Sequence, residues 1–120
     1  MKKYHSLCPI ETTLNLIGNK WKILIIRDLL QGTKRFGELR KSISFTKNQN
    51  ISQNVLTQNL RELEEAKLIK RKVYAEVPPK VEYLLISLGN SLESILKSLE
   101  NWGNSYKISF KKQINITYIN

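Results

Sequence analysis

The two consecutive prolines of Pro78-Pro79-Lys80 constrain the fold most, because they lie between two runs of β-forming residues. Along residues 69–77, apolar and charged side chains largely alternate, and residues 81–86 are rich in Val, Tyr, Leu and Ile. Proline has no backbone N–H group, so the segment between the runs does not continue a ladder and the chain turns there. The sequence therefore predicts a β-hairpin within residues 69–86.

Four helices are predicted before the hairpin from the spacing of apolar residues and from capping residues. The first opens with Cys8-Pro9, because proline suits the first turn of a helix, and it ends at Gly18. The second spans residues 20–30, is mostly buried and stops at Gly32. A short third helix carries apolar residues at helical spacing, namely Phe36, Leu39 and Ile43.

The fourth helix follows a polar segment, residues 44–50, which is interpreted as a loop. Ser52 is expected to cap this helix, which ends near Ala66 or Lys67. The side that faces the core is predicted to hold Leu56, Leu60 and Leu63. The opposite side then holds Asn54, Thr57, Gln58 and Arg61, so the helix has a polar outer face.

A long helix is predicted after the hairpin, from about Ser87. It carries one apolar stripe, formed by Leu88, Leu92, Ile95, Leu96, Leu99 and Trp102. The tail from Gly103 holds three lysines and no acidic residue, and the alternation of Ile114, Ile116 and Tyr118 leaves a strand or a disordered segment open. We expect a single domain over residues 1–120, with its core at 8–103 and a basic tail at 104–120.

The chain carries 20 Lys and Arg residues against 10 Asp and Glu residues, so its net charge is +10. A positive excess of this kind is typical of proteins that bind a polyanion, either nucleic acid or an anionic membrane surface. A second explanation stays open, since a composition rich in Lys, Ile and Asn is what an AT-rich genome produces without any binding role. The net charge alone therefore suggests a polyanionic partner but does not distinguish this from a bias in composition.

The single Cys and the single His exclude several other classes of protein. They are too few for an internal disulfide framework or a conventional four-ligand zinc site, and no metal or cofactor is predicted. No apolar run approaches the ~20 residues of a membrane span, and the N-terminus lacks the apolar region of a signal peptide. His5 and Cys8 lack a third orienting group and an oxyanion motif, so no catalytic residue is predicted. We expect a reduced, cytoplasmic protein that is not an enzyme.

The predicted order of elements is helix, helix, helix, loop, helix, hairpin, helix. A short helix, a connector and a second helix with a polar outer face form a helix-turn-helix pattern. A basic hairpin directly afterwards makes the pattern a winged helix. The predicted fold is thus mostly α with a small β-hairpin, an α+β winged helix-turn-helix in which the N-terminal and C-terminal helices serve dimerisation.

The outer face of the fourth helix has the side-chain chemistry of base readout. Gln and Asn pair with adenine, Arg pairs with guanine, and the Thr methyl group contacts the thymine methyl group. An ordinary solvated helix face is the alternative, but the acidic residues lie late in this helix, away from the start that enters a groove. The partner predicted here is double-stranded DNA. The predicted major-groove residues are Ser52, Gln53, Asn54, Thr57, Gln58 and Arg61.

Cations outside this helix are predicted to contact the DNA backbone. Lys80 and the Pro78-Pro79 turn would approach the backbone or the minor groove. Phosphate contacts, which fix register without specifying sequence, are predicted for Lys34, Arg35 and Arg71. Two alternatives stay open: a winged helix that serves as a protein-interaction module, with an apolar or acidic outer face, and a non-specific architectural binder with a steep salt dependence.

Six short sequence blocks follow one another between Cys8 and Gly89. They are Cys8-Pro9-Ile10-Glu11, Gly18-Asn19-Lys20-Trp21-Lys22, Arg35-Phe36-Gly37-Glu38-Leu39-Arg40, Leu56-Thr57-Gln58-Asn59-Leu60-Arg61-Glu62-Leu63, Tyr74-Ala75-Glu76-Val77-Pro78-Pro79-Lys80-Val81-Glu82-Tyr83 and Leu88-Gly89. In this order they resemble the HxlR-type, MarR-like winged-helix transcriptional regulators. The resemblance covers about residues 8–103.

The resemblance implies a bacterial homodimer that binds pseudo-palindromic operators. Its recognition helix matches residues 52–65 and its wing matches residues 77–81. The Leu88–Trp102 stripe and the first helix are the surfaces that we expect two copies to share, and Trp21 and Trp102 are interpreted as core or dimer-interface aromatics. The family usually has a very short turn with Pro or Gly before the recognition helix, whereas segment 44–50 is longer and contains neither residue.

Cys8 lies where several members of the resembled family carry a Cys that senses oxidants or electrophiles such as quinones and aldehydes. A thiol at a helix N-terminus, with Lys2, Lys3 and His5 close in sequence, is expected to be reactive. The alternative is a small helix-capping residue that stays reduced. Because the chain has no second Cys, the open reactions are a bridge between the Cys8 residues of two chains, a mixed disulfide or direct alkylation.

Overall fold

The computed structural model describes residues 6–119, with side chains described as far as residue 114. The elements in chain order are α1 (Pro9–Ile17), α2 (Lys22–Leu30), β1 (Lys34–Arg35), α3 (Phe36–Lys47), α4 (Gln53–Glu65), β2 (Ile69–Tyr74), β3 (Lys80–Leu85), α5 (Ser87–Asn90) and α6 (Glu93–Ile119). The predicted winged helix, mostly α with a small β-hairpin, is confirmed. Between residues 6 and 119, no helix is both long enough and apolar enough to cross a membrane.

The hydrophobic core lies where α2, α3 and α4 meet. The leucines predicted to face the core from α4 are all buried, as are Leu39 and Ile43 of α3. Full burial of an aliphatic side chain contributes about 1.5–3 kcal/mol, so this cluster accounts for much of the packing energy. The core is completed by residues from the flanking elements, namely Ile17, Ile25, Ile26, Leu29, Ile51, Leu68, Ile69, Leu85 and Leu92.

The sheet has three antiparallel strands in the order β1-β3-β2. Strands β2 and β3 pair from Ile69↔Leu85 to Tyr74↔Lys80, which confirms the predicted hairpin. Strand β2 ends at Tyr74 rather than Val77, because the Glu76 N–H group donates to the Tyr74 carbonyl oxygen at 2.9 Å and begins the turn. The sequence did not predict β1, which has only two residues and so shows no alternation.

The interpretation of residues 44–50 as a loop is wrong for its first half, because α3 continues to Lys47. The helix ends where Asn48 adopts a left-handed conformation with φ of 50°. Asn tolerates this conformation, so it performs the role that Gly performs in most such turns. The connector is tied back to α3, since the Ile51 N–H group donates to Ser44 Oγ at 3.1 Å and Arg40 Nε donates to the Ile51 carbonyl oxygen at 2.9 Å.

The long helix predicted from Ser87 is interrupted. The single turn of α5 ends at Asn90, and α6 begins at Glu93. Helix α5 passes so close to the loop between α4 and β2 that a Cβ atom on Gly89 would lie 2.1 Å from the Leu68 carbonyl oxygen. Helix α6 then runs to Ile119, so the tail is helical, and both the strand and the disordered segment considered for it are wrong.

Candidate nucleic-acid interface

Helix α4 starts as the sequence predicts. The Ser52 hydroxyl oxygen accepts a hydrogen bond from the Val55 N–H group at 3.1 Å, which confirms Ser52 as the cap. The first turn after this cap is exposed, and residues 53–61 contain no acidic side chain. The positive end of the helix dipole and the polar side chains of the first turns therefore point the same way, toward solvent.

The predicted major-groove residues come together on the outer side of α4. Gln53, Asn54, Gln58 and Arg61 are exposed, and Thr57 is half-buried. Gln58 is held in place by its own helix, since its Nε2 donates to Glu62 Oε2 at 2.9 Å. The structure thus presents these side chains as one continuous polar surface.

A pair of asparagines, the buried Asn59 and the exposed Asn19, links α4 to the turn before α2. Asn19 Nδ2 donates to Asn59 Oδ1 at 2.8 Å, and Asn59 Nδ2 donates to the Val55 carbonyl oxygen at 2.8 Å. The Asn19 side-chain oxygen also accepts the N–H groups of Trp21 and Lys22, at 3.0 and 2.7 Å. Asn59 is only 7% exposed, so these bonds satisfy polar atoms that water reaches poorly.

A second link lies one turn further along α4 and joins that helix to Lys22, the first residue of α2. Lys22 is 4% exposed, and its Nζ lies 2.5 Å from Glu62 Oε1. A lysine this deeply buried needs a counter-charge, because an unpaired buried charge costs several kcal/mol. Together the two links fix the rotation of α4 about its own axis, and hence which residues face outward. Periodicity missed them, although Asn59 is a polar residue within the buried side of α4.

A small cleft separates α4 from the sheet. Its volume is about 180 Å³, and it is lined by Thr57, Leu60, Arg61, Glu64, Arg71 and Tyr83. Arg71 and Tyr83 are direct cross-strand partners, so they lie on the same face of the sheet. Burial raises the pKa of the Tyr83 phenol, with Glu64 acting in the same direction and the two arginines against it. The Tyr83 hydroxyl therefore stays a hydrogen-bond donor, beside two cations.

The other face of the hairpin carries a different cluster. Tyr74 donates from its hydroxyl to Glu82 Oε1 at 2.8 Å, and Lys80 Nζ lies 3.7 Å from Glu82 Oε2. Lys72 and Arg35 are the cross-strand partners of Glu82. The Tyr74 hydrogen bond lowers the pKa of Glu82, as do the nearby charges of Lys80, Arg35 and Lys72, whereas desolvation opposes them.

The structure does not bring the four predicted backbone-contacting cations to one place. Arg71 faces α4, whereas Arg35 and Lys80 share the opposite face of the sheet with Glu82. Lys34 lines a separate cleft between α2 and α3, with Asp28 and Glu38. Arg71 is thus the member of this group that lies beside the polar face of α4.

Cys8 directly precedes α1 and is exposed. Its N–H group donates to Ser6 Oγ at 3.1 Å, and its carbonyl oxygen accepts from Thr12 Oγ1 at 3.3 Å. The basic residues predicted to activate it, Lys2, Lys3 and His5, lie outside the described residues. Within residues 6–119, no three Cys, His, Asp or Glu side chains come close enough to hold a metal ion.

Residues 16–110 match the family described as HxlR-like helix-turn-helix. The regulator YdeP of Bacillus subtilis, named as HTH-type, is 47% identical over 100 residues, which are 83% of this chain and 74% of YdeP. The reduced form of the redox regulator HypR is 40% identical and has a TM-score of 0.79, over 88% of this chain and 99% of HypR. The reduced form of YodB from B. subtilis is 34% identical, with a TM-score of 0.70, over 84% of this chain and 95% of YodB.

These relatives share both the sequence and the winged-helix architecture, and the family match spans α2 to α5, the hairpin and part of α6. The chain therefore belongs to the HxlR family and is a helix-turn-helix transcriptional regulator, not an enzyme.

Proposed function

We propose that this regulator is a cytoplasmic homodimer that reads a pseudo-palindromic DNA operator, with α4 of each protomer in the major groove. The observation that carries the proposal is the outer face of α4, which is exposed, polar and free of acidic side chains over residues 53–61. A protein-interaction module would instead present an apolar or acidic face there. Asn, Gln, Thr and Arg at these positions offer the donors, acceptors and methyl group that base edges in the major groove complement.

The cleft between α4 and the sheet supports a phosphate contact next to the base-reading surface. Arg61 and Arg71 reach this cleft from two different elements, and the Tyr83 hydroxyl adds a neutral donor. A DNA strand bordering the groove would place a phosphate against Arg71 and Tyr83, while Arg61 reaches the base edges from α4. Lys80 and Arg35 share their face with the Glu82 carboxylate, so we expect each to contribute less to DNA affinity than Arg71.

The homodimer is supported by apolar surface that the chain leaves uncovered. Ile10 of α1 is 71% exposed, and Trp102 of α6 is 67% exposed. Trp102, Tyr106 and Phe110 form an exposed stack, with ring centroids 5.4 and 6.0 Å apart. Apolar helix faces of this kind gain stability when a second copy covers them. Dimerisation would also place two α4 helices about 34 Å apart, one turn of DNA.

A response to oxidants or electrophiles through Cys8 is the regulatory part of the proposal. Cys8 is exposed, so a small reagent reaches its sulfur atom directly. Two similar proteins, HypR and YodB, are a redox regulator and a regulator whose diamide-treated form has been crystallised. Cys8 begins the helix whose exposed apolar side chains we assign to the dimer, so its modification would alter the spacing of the two α4 helices.

The experiment that tests this function is a binding assay on the DNA upstream of the regulator's own gene, against a scrambled competitor. We expect preferential binding to the upstream DNA and a footprint of two half-sites about one helical turn apart. Equal affinity for both DNAs would instead support the non-specific architectural binder. Absence of binding to either DNA would contradict a role in DNA recognition.

A further inference from the structure

The Glu62 carboxylate connects a buried lysine to an exposed glutamine on the DNA-facing side of α4. Its Oε1 lies 2.5 Å from Lys22 Nζ, and its Oε2 accepts from Gln58 Nε2 at 2.9 Å. The Lys22 side chain is almost fully buried, the Glu62 side chain is 25% exposed, and Gln58 is exposed. The three residues form a path from the core to the surface that is proposed to read bases.

The chemistry of a carboxylate decides which way the Gln58 amide points. A carboxylate only accepts hydrogen bonds, so the amide nitrogen faces Glu62 and the carbonyl oxygen does not. One N–H group of Gln58 is used in this bond, and the carbonyl oxygen and the second N–H group remain available. This is the acceptor and donor pair that the N6 amino group and the N7 atom of adenine complement.

Guanine presents two acceptors, O6 and N7, to the major groove, so the Gln58 carbonyl oxygen would meet another acceptor there. An unanchored glutamine amide can rotate to suit several bases, whereas an anchored one cannot. Glu62 is in turn held in place, because Lys22 has little freedom in the core and binds the Glu62 carboxylate through a short ion pair.

We propose that Lys22, acting through Glu62, sets the orientation of the Gln58 amide and makes it select adenine. The proposal rests on the proposed function, in which α4 enters the major groove. Lys22 is a positioning residue here, since its burial keeps it from touching DNA. Glu62 is the second positioning residue, and this gives a role to the acidic side chain that lies next to the surface proposed to read bases.

The test is selection of binding sites from a random duplex library, with the full chain and three single variants. We expect the wild-type protein to prefer adenine by about tenfold at one position in each half-site, the discrimination typical of a bidentate contact. Glu62→Gln should reduce this preference to about twofold or less and leave the other positions unchanged, because a side-chain amide both donates and accepts. Glu65→Gln makes the same charge change at an exposed position of α4 and should keep the preference.

Lys22→Met should lose the preference at the same position while the salt dependence of binding stays unchanged, because a buried residue releases no counterions from DNA. A general loss of structure would instead weaken every position of the site together. If Lys22→Met does not fold, Glu62→Gln decides the matter alone.

Retention of the adenine preference in Glu62→Gln would overturn the inference, as would a preference for another base at the Gln58 position. In either case a wild-type protein that still selects a defined site leaves the proposed function standing. A wild-type protein that selects no sequence would overturn both.

Discussion

Helices α4 and α6 each expose a long face, but the two faces differ in chemistry and in how they are supported. The outer face of α4 is polar, and the helix behind it is fixed by a buried core and by two polar links to the region around α2. The exposed face of α6 is apolar and aromatic, and the rings of Trp102, Tyr106 and Phe110 stack along it. Helix α4 is thus organised within one chain, whereas α6 leaves an apolar face uncovered, and this is the face that we propose a second copy covers.

The largest effect is expected from a charge on the apolar face of α6. Trp102→Glu should weaken dimerisation and lower operator affinity by about 100-fold, because the gain from binding two half-sites together is typically 10²–10⁴. Asn104→Glu places the same charge on the opposite side of the helix and serves as the control. Sedimentation at micromolar concentration checks the assembly, and an unchanged dimer with Trp102→Glu would show that α6 is not the shared surface.

The next effect concerns the internal support of α4. Asn59→Ala removes the acceptor of Asn19 in a buried site, so the free energy of unfolding should fall by about 2 kcal/mol. Asn54→Ala, on the exposed side of the same helix, should change it by less than about 0.5 kcal/mol. Urea denaturation at one fixed protein concentration measures both. Equal losses would mean that the asparagine pair does not hold α4 in place.

The sequence could predict the features of α4 that depend on neighbouring residues, but not those that depend on residues far apart in the chain. Ser52 and the leucines of α4 are local signals, since a cap and a helical period are visible within a few residues. The links from Asn19 to Asn59 and from Lys22 to Glu62 each join residues 40 positions apart, so no local pattern contains them.

The predictions for residues 44–47 and for the C-terminal tail were wrong because the local apolar spacing there does not reflect the contacts that form. Residues 44–47 lack a regular apolar spacing but stay helical, because Ser44 and Arg40 bind the connector and Asn48 ends the helix. In the tail, three alternating apolar residues suggested a strand, whereas the aromatic stack from Trp102 to Phe110 follows the spacing of a helix. In the candidate site, the helical period of the sequence predicted the outer face of α4. The sequence did not predict that the cations of the sheet lie on two opposite faces, because this depends on which residues pair between the strands.

Arg61 and Arg71 line the same cleft between α4 and the sheet, but their replacement should affect DNA binding differently. Arg61→Ala should weaken operator binding by about 1–3 kcal/mol and affect random DNA much less, as a base-reading residue does. Arg71→Ala should weaken both DNAs alike, as a phosphate contact does. Competition titrations with the two duplexes separate these cases. Equal losses on both DNAs with Arg61→Ala would assign Arg61 to phosphate.

A smaller effect is expected on the other face of the hairpin. Lys80→Ala should weaken specific and non-specific binding alike and make the salt slope shallower by at most about one unit. The effect is limited because Lys80 shares its position with the Glu82 carboxylate and the Tyr74 ring. Lys107→Ala removes the same charge from α6 and serves as the comparison. A slope unchanged by Lys80→Ala would place this residue away from DNA.

The smallest effect on basal binding is expected at Cys8. This residue tests whether a change at the start of α1 alters DNA binding by α4. Cys8→Ser should bind the operator as the wild-type protein does. In the wild-type protein, 1,4-benzoquinone should lower operator affinity, because the Cys8 sulfur adds to a ring carbon, forms a C–S bond and leaves a hydroquinone after proton transfer. An oxidant such as diamide should act through a bridge between two Cys8 residues, with two electrons and two protons passing to the diamide.

Either product lies at the start of α1, beside its exposed Ile10, so it would shift the two copies and hence the two α4 helices. Mass spectrometry identifies the adduct or bridge, and an affinity titration before and after treatment measures the response. If Cys8→Ser lost affinity to the same extent under these reagents, the response would not pass through Cys8.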